Sequence, residues 1–189
     1  MVAGIDEAGR GALAGPVYAA AVILPAAHND LTQALAGVND SKKMTRAARE
    51  HWADSLPQIV VAWAVARASA EEIDRLGIAA ATRLAAQRAV ESLVVAPDHL
   101  LLDYLRLPLQ IPQTSLVKGD ARSLSIAAAS ILAKTARDAC LRALDTEYPG
   151  YGFAAHKGYG TPQHLTALQT LGPSPVHRRS FAPLQPRLL

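Results

Sequence analysis

Four acidic residues dominate the chemistry that this chain can offer. Asp6 and Glu7 close a short apolar run near the start of the chain, and Gly9-Arg10-Gly11 follows at once. Asp103 closes a second apolar run, His99 to Leu102, and Asp120 stands just before a long alanine-rich stretch. Carboxylates without thiol partners favour a hard, oxygen-seeking cation such as Mg²⁺. Two such ions about 3.5–4 Å apart activate a water and stabilise the leaving oxygen of a phosphodiester. An arginine between two glycines suits close contact with a phosphate backbone. No Ser-His-Asp or Cys-His arrangement stands out, so the acids are the main candidates for catalysis.

Each acid also has a plainer role open to it. Asp120 is placed to cap the helix that follows it, and Asp103 to sit in a solvated turn. Asp138 follows Asp120 by 18 residues, about 27 Å along a straight helix, so it reads as a structural pairing residue. Neighbouring side chains of a strand point to opposite faces. Asp6 and Glu7 therefore share one site only if the strand ends or bulges there, a departure that Gly9 and Gly11 make plausible.

The elements that must position these residues follow from hydrophobic periodicity and breakers. Strands are predicted at residues 2–6, 16–24, 58–67 and 99–103, with a short fifth at 115–118. Helices are predicted at 45–56, capped by Thr45, at 69–75, at 77–95, at 121–146 and near 162–171. Pro57 is expected to separate the first of these helices from the third strand. Three of the acids then fall at strand ends or at a strand-to-helix junction, where sites of α/β folds gather. The division expected is an α/β domain over residues 1–148 with a helical, partly irregular extension over 149–189.

Composition narrows the class. The chain has 189 residues, half of them apolar, with a formal charge of +3. That suffices for one real core and is compatible with a nucleic-acid partner. Cys140 is the single cysteine, which excludes an internal disulfide or a cysteine zinc site and points to a reducing compartment. The N-terminus has neither a basic region nor a long apolar stretch, and no run approaches the roughly 18 apolar residues of a membrane span. A cytoplasmic protein, monomeric and away from membranes, is the expectation.

Six segments in order carry a more specific resemblance. They are Gly4 to Gly11, Asp40-Ser41-Lys42-Lys43, Lys118-Gly119-Asp120, Ala128 to Lys134, His156 to Thr161, and His177-Arg178-Arg179-Ser180-Phe181. Together they resemble bacterial ribonuclease HII, the type 2 ribonuclease H, over nearly the whole chain. The resemblance implies a ribonuclease H-like fold: a mixed five-stranded sheet flanked by helices, with a small helical C-terminal extension. It implies metal-dependent cleavage of the RNA strand of RNA–DNA hybrids. It also implies incision 5′ to single ribonucleotides in duplex DNA, leaving a 3′-hydroxyl and a 5′-phosphate, in ribonucleotide and primer removal. Asp6, Glu7, Asp103 and Asp120 take the positions of the family's metal-binding acids, for two Mg²⁺ or Mn²⁺ ions. Gly9, Arg10 and Gly11 take the position of the loop that reads the 2′-hydroxyl, and Tyr159 that of the tyrosine packing on the sugar at the RNA-to-DNA junction.

The residue chemistry agrees. The 2′-hydroxyl is the local feature that separates RNA from DNA, and glycine backbone can approach it closely. Tyr159 sits in a Gly-Tyr-Gly turn, which favours an exposed ring over a core plug. Ser41, Lys42, Lys43, Lys134 and Arg178 fall in the motif segments and are candidates for substrate contact, with Lys42 the strongest; Lys118 and Lys157 lie near them. Ser130 and Lys134 share a helix face. His156 and His177 are assigned structural or phosphate contact ahead of leaving-group protonation. Two positions depart from the family pattern: Gly77, where Asn is more usual, and Tyr104, where Gly is common. The tail Gln185 to Leu189 loosely resembles peptides that dock on sliding clamps, against the plainer reading of a disordered end. Another metal nuclease of this fold family, such as a junction resolvase, and a silent hybrid-binding module are the competing classes.

Overall fold

The structure is a computed structural model that describes residues 1–25 and 31–185. The tail beyond Gln185, where most of the clamp-like peptide falls, lies outside the described residues. Strands β1 (Val2–Ala8), β2 (Val17–Ile23), β3 (Ala62–Ala68), β4 (His99–Asp103) and β5 (Gln113–Leu116) form one sheet in the order β3-β2-β1-β4-β5. β1 and β2, and β2 and β3, pair antiparallel, whereas β1 and β4, and β4 and β5, pair parallel. This is the expected mixed five-stranded sheet. Helices α1 (Leu31–Ala34), α2 (Arg46–Ile59), α3 (Ala70–Leu76), α4 (Ile78–Glu91), α5 (Leu124–Glu147), α6 (Phe153–His156) and α7 (Pro162–Leu171) complete the described chain.

Alanine decides how the layers meet. On one face α4 lays Ala81, Ala85, Ala86 and Ala89 against Ala3, Ile5, Ala19 and Ala21. On the other, α5 buries Ala127 to Ala129 and Ile131 to Ala133 against Ala20 and Val22, with Leu56 of α2 beside them. Small side chains allow helix and sheet backbones to approach closely while still excluding water. Burying each aliphatic side chain contributes about 1.5–3 kcal/mol before ordering costs. The segment after α5 folds onto that helix through a third cluster, in which Tyr151 and Phe153 pack on Leu141 and Ala14.

β5 lies two residues ahead of the expected 115–118 and α4 ends at Glu91, four residues short of 95, and three further differences bear on the site. α2 runs through Pro57 to Ile59, and β3 begins only at Ala62. Leu56 is fully buried, and Ile59 and Val60 pack on the same cluster. Burial of this apolar run outweighs the hydrogen bond that Pro57 cannot donate. Before α5, Gly119–Ala121 form a separate 3-10 turn, and the residue at the cap position is Ser123. Asp120 is therefore not the cap of the long helix. Finally, β1 continues without a bulge through Asp6 and Glu7, which pair in regular register with Ala20 and Ala19 of β2.

Candidate active site

The site is built where β4 stops short of β1. Parallel pairing between them ends at Ile5 and Leu102, so β1 carries Asp6 and Glu7 past its neighbour. Strict alternation holds, and the two carboxylates leave the strand on opposite faces. Asp6 lies on the α5 side, 4% exposed, with the Ser130 hydroxyl of α5 pulling its pKa down. Ser41 Oγ lies 2.8 Å from Ser130 Oγ in the interior.

The acids sense one another. Burial, then Glu7 and Asp103, push the Asp6 carboxyl up to about 7, against the pull of Ser130. Burial also raises Glu7, with Asp103 adding to it, although Arg10 pulls the other way. Arg10 Nη1 stands 3.3 Å from Glu7 Oε1, but Glu7 Oε2 is buried without a partner. Asp120 is raised by burial and then by Asp40, with Asp103 contributing. Asp103 is the member common to all three, and its Oδ1 accepts from Gly119 N–H at 3.0 Å, which ties β4 to the turn that carries Asp120.

Lys42 is the ammonium that Asp6, Asp103 and Asp120 see, as Arg10 is the guanidinium beside Glu7. Its ammonium lies 3.9 Å from Asp120 Oδ2. Burial would lower its pKa, but Asp6, Asp40, Asp120 and Asp103 together raise it. Asp40 holds the Lys42 backbone N–H at 2.9 Å and so aims the residue. A crowd of carboxylates, one with an orphaned oxygen, around a single ammonium fits a site for hard cations. Among the described residues, however, no group of three or more His, Cys, Asp or Glu side chains is already gathered tightly enough to enclose an ion.

A cleft of about 360 Å³ lies beside the acids, lined by Glu7, Ala8, Gly9, Arg10, Gly11, Ser41, Lys42, Lys134 and Tyr159. The fold thus brings most of the expected substrate contacts to one concavity. Asp120 borders a neighbouring hollow at the start of α5, and Lys42 reaches between the two. Lys43 is exposed on the adjoining turn. Lys134 faces the cleft but is also ion-paired to Asp138 at 2.7 Å, and Arg49 approaches the same carboxylate at 3.7 Å. Asp138 is a pairing residue, as its distance along the helix implied.

Arg178 requires a correction. It is fully buried, donating from Nε to Gly15 O at 2.9 Å and from Nη1 to Arg10 O at 2.8 Å. It holds the glycine loop from behind and does not present itself to a phosphate. Burial, with Arg137 beside it, draws its pKa down to about 9, so it remains charged at neutral pH. Arg137, also fully buried, donates to Pro16 O, Ala14 O and Lys157 O at 3.0–3.2 Å. Its guanidinium lies 5.4 Å from the centre of the Tyr159 ring. Gly9 has φ of 95°, and a β-carbon there would meet Arg137 Nε at 1.8 Å, so glycine is demanded twice over.

Ser130, Asp40, Arg137 and His164 belong to the site or its support and were not singled out as such from sequence. Ser130 had a signal in its four-residue spacing from Lys134. Asp40 stands in the motif segment with Lys42, whose N–H it accepts, whereas Arg137 had no signal, because the carbonyls of Ala14 and Pro16 lie far away in the chain. Of the two departures from pattern, Gly77 takes φ of 77° between α3 and α4 and suits its place. Tyr104 adopts φ of 56° with its ring 79% exposed, so its bulk points to solvent and the cost falls on its backbone.

A family model described as Ribonuclease HII matches residues 3–184. The chain belongs to the ribonuclease HII family. Its class is accordingly that of a ribonuclease H hydrolase, an endonuclease. It is 56% identical over 188 residues to the ribonuclease HII of Desulfitobacterium hafniense (strain Y51), covering 99% of this chain and 70% of that protein. It is similar to the crystal structure of the ribonuclease H2 from Pyrococcus horikoshii OT3, with a TM-score of 0.80, 26% identity, and coverage of 97% and 94% of the two chains. A ribonuclease HII from Archaeoglobus fulgidus, solved in complex with PCNA, is also similar, at a TM-score of 0.75 and 26% identity over 95% and 93% of the chains. The sheet and its flanking helices are those of the ribonuclease H-like fold. No helix among the described residues is long and apolar enough to cross a membrane.

Proposed function

We propose that the chain cleaves the RNA strand of RNA–DNA hybrids and incises duplex DNA on the 5′ side of a single ribonucleotide. Products would carry a 3′-hydroxyl and a 5′-phosphate. The observation that carries this reading is the single cleft shared by Glu7, the Gly9-Arg10-Gly11 loop, Lys42 and Tyr159. An acid able to hold a cation, a backbone able to read a hydroxyl, and a ring able to pack on a sugar stand together there. Family membership supports the hybrid as substrate class.

Asp6, Glu7, Asp103 and Asp120 are the residues that would hold Mg²⁺ or Mn²⁺. Such ions, when bound, lower the pKa of a water and stabilise the departing oxygen. The chain's own part is distinct. Gly9 and Gly11 offer main-chain polar groups to the 2′-hydroxyl, in a conformation that Arg137 and Arg178 hold from the interior. Lys42, freed from the acids, has a phosphate within reach of its flexible stem. Lys134 stays anchored on Asp138 and presents fixed positive charge to the cleft. Ser41 and Ser130 orient the Asp6 carboxylate. Tyr159 packs on the deoxyribose that follows the ribonucleotide.

The work would be ribonucleotide and primer removal in the cytoplasm. A sliding clamp is a candidate partner, supported by the tail sequence and by the PCNA complex of the archaeal relative. A duplex with one embedded ribonucleotide, incubated with Mg²⁺ or Mn²⁺, is the direct test. A nick 5′ to that ribonucleotide is expected. Cutting of branched DNA that lacks any ribonucleotide, without that nick, would transfer the chain to another nuclease class.

A further inference from the structure

The segment Gly158-Tyr159 is pinned at both ends by histidines whose proton positions the structure determines. Gly158 N–H donates to His156 Nδ1 at 3.2 Å, so that nitrogen is bare. The proton of the neutral His156 ring is then on Nε2, which lies 2.8 Å from Tyr151 O. At the other end, Ser174 N–H donates to His177 Nδ1 at 3.0 Å. His177 therefore carries its proton on Nε2, and this faces His164 Nε2 at 3.0 Å in the interior. Two facing nitrogens hold one proton between them, so His164 Nε2 accepts. The His164 proton is forced onto Nδ1, which lies 2.9 Å from Tyr159 O.

The bonds run in one direction, from Ser174 N–H through His177 and His164 to the Tyr159 carbonyl. His164 is fully buried and stacked on His156 with ring centres 4.4 Å apart, and Phe153 packs edge-on to both. This leaves the Tyr159 backbone little freedom. The Tyr159 side chain, 38% exposed, lies over Arg137 on one side and lines the cleft. A ring whose packing selects a sugar must be held before the sugar arrives, since ordering it on binding would cost affinity.

We propose that His164, oriented by His177, is a positioning residue for Tyr159 and thereby sets the preference for a ribonucleotide followed by DNA. The proposal rests on the reading of Tyr159 as the residue that packs on the junction sugar. Its test has two arms that fail separately. Long-range ¹⁵N–¹H imidazole spectra of the labelled full chain at pH 7 should show three neutral rings. The proton is expected on Nε2 in His156 and His177 and on Nδ1 in His164. A His164 ring protonated on Nε2, or charged, overturns the relay.

In the second arm, kcat/KM is compared between a duplex with one ribonucleotide and an all-RNA hybrid, which presents no junction deoxyribose at the scissile site. His164→Leu should lower the ratio about fivefold, the worth of one hydrogen bond. His164→Asn places an amide donor near the Nδ1 position and should recover most of the ratio. Equal losses on both substrates, or no recovery with Asn, overturn the positioning role. Should the Leu variant fail to fold, the Asn variant and the spectra still decide. If Tyr159→Ala leaves the ratio unchanged while the spectra show the expected tautomers, the sugar-contact reading fails and the relay stands as a fold element only.

Discussion

Two regions a few residues apart handle buried charge in opposite ways. At the open end of β1, carboxylates of Asp6 and Glu7 are buried near Asp103, and one Glu7 oxygen has no partner. Behind the Gly9 loop, Arg137 and Arg178 are fully buried, more deeply than Glu7, yet between them they donate to five backbone carbonyls. The acids are left mutually repelling, whereas the arginines are held by main chain, with Arg178 Nη2 the one of their nitrogens buried without a partner. The contrast separates a place where added positive charge would be welcome from a frame that main-chain bonds hold in position. Unpaired like charges raise the energy of the ion-free protein and are relieved by binding. Carbonyl-bound guanidinium groups lock the loops whatever is bound.

Substitutions at the two regions should therefore trade activity against stability in opposite senses. The largest effect is expected at the acids. Asp120→Asn should reduce hybrid cleavage on the order of a thousandfold with hybrid affinity largely retained, as steady-state rates and a binding titration would show. Full turnover in that variant would remove Asp120 from the catalytic set. Its unfolding midpoint without metal should hold or rise, because a crowded charge is gone.

At the arginines the loss should appear in folding. Arg178→Met leaves the Arg10 and Gly15 carbonyls buried without donors. A cost of about 2–4 kcal/mol is expected from denaturant titration. A variant as stable as the parent would mean that the loop does not depend on this side chain.

Metal-free stability should also depend on pH with opposite signs in the two halves of the chain. Asp6 has a folded pKa raised to about 7. Its contribution is fully present below its unfolded value near 4 and is lost as pH rises towards 7. His177, depressed to about 4 by burial and by His164, contributes fully above about 6.5 and loses that contribution as pH falls towards 4. Thermal melts with chelator should show Asp6→Asn flattening the alkaline limb and His177→Gln flattening the acid limb. If both variants change the same limb, the assignment of the two pKa shifts is wrong. The smallest effect is expected at Tyr104. Replacing it with Gly relieves a left-handed backbone at the expense of added unfolded-state entropy, a net gain of up to about 1 kcal/mol by denaturant titration. A loss of stability there would show that the ring contributes contacts beyond its exposure.

Much of the architecture was legible along the chain. Apolar runs marked the first four strands, and the boundaries of β4 coincide to the residue, whereas β5, with the polar sequence QTSL, lies at Gln113–Leu116 and only half overlaps the expected 115–118. The errors came where local rules met distant burial. Pro57 reads as a breaker, but the apolar residues around it are held in α2 by the core. Asp120 reads as a cap until the chain is seen to insert a separate turn before α5. Arg178 reads as a phosphate contact by motif, and only packing reveals that the carbonyls of Arg10 and Gly15 consume it.

The sequence by itself determined the donor chemistry of the site: oxygen ligands only, glycine backbone beside them, and one tyrosine between glycines. Those follow from residue identity, which no fold can change. Tertiary structure alone decided how Asp6 and Glu7 share a neighbourhood. β1 outruns β4, so adjacent residues on opposite faces both border the gap at the sheet's open end. It alone decided which cations face solvent and which are spent inside. It also brought His164 Nε2 to 3.0 Å from His177 Nε2, a pairing that the short-range backbone contacts of the two rings do not fix by themselves.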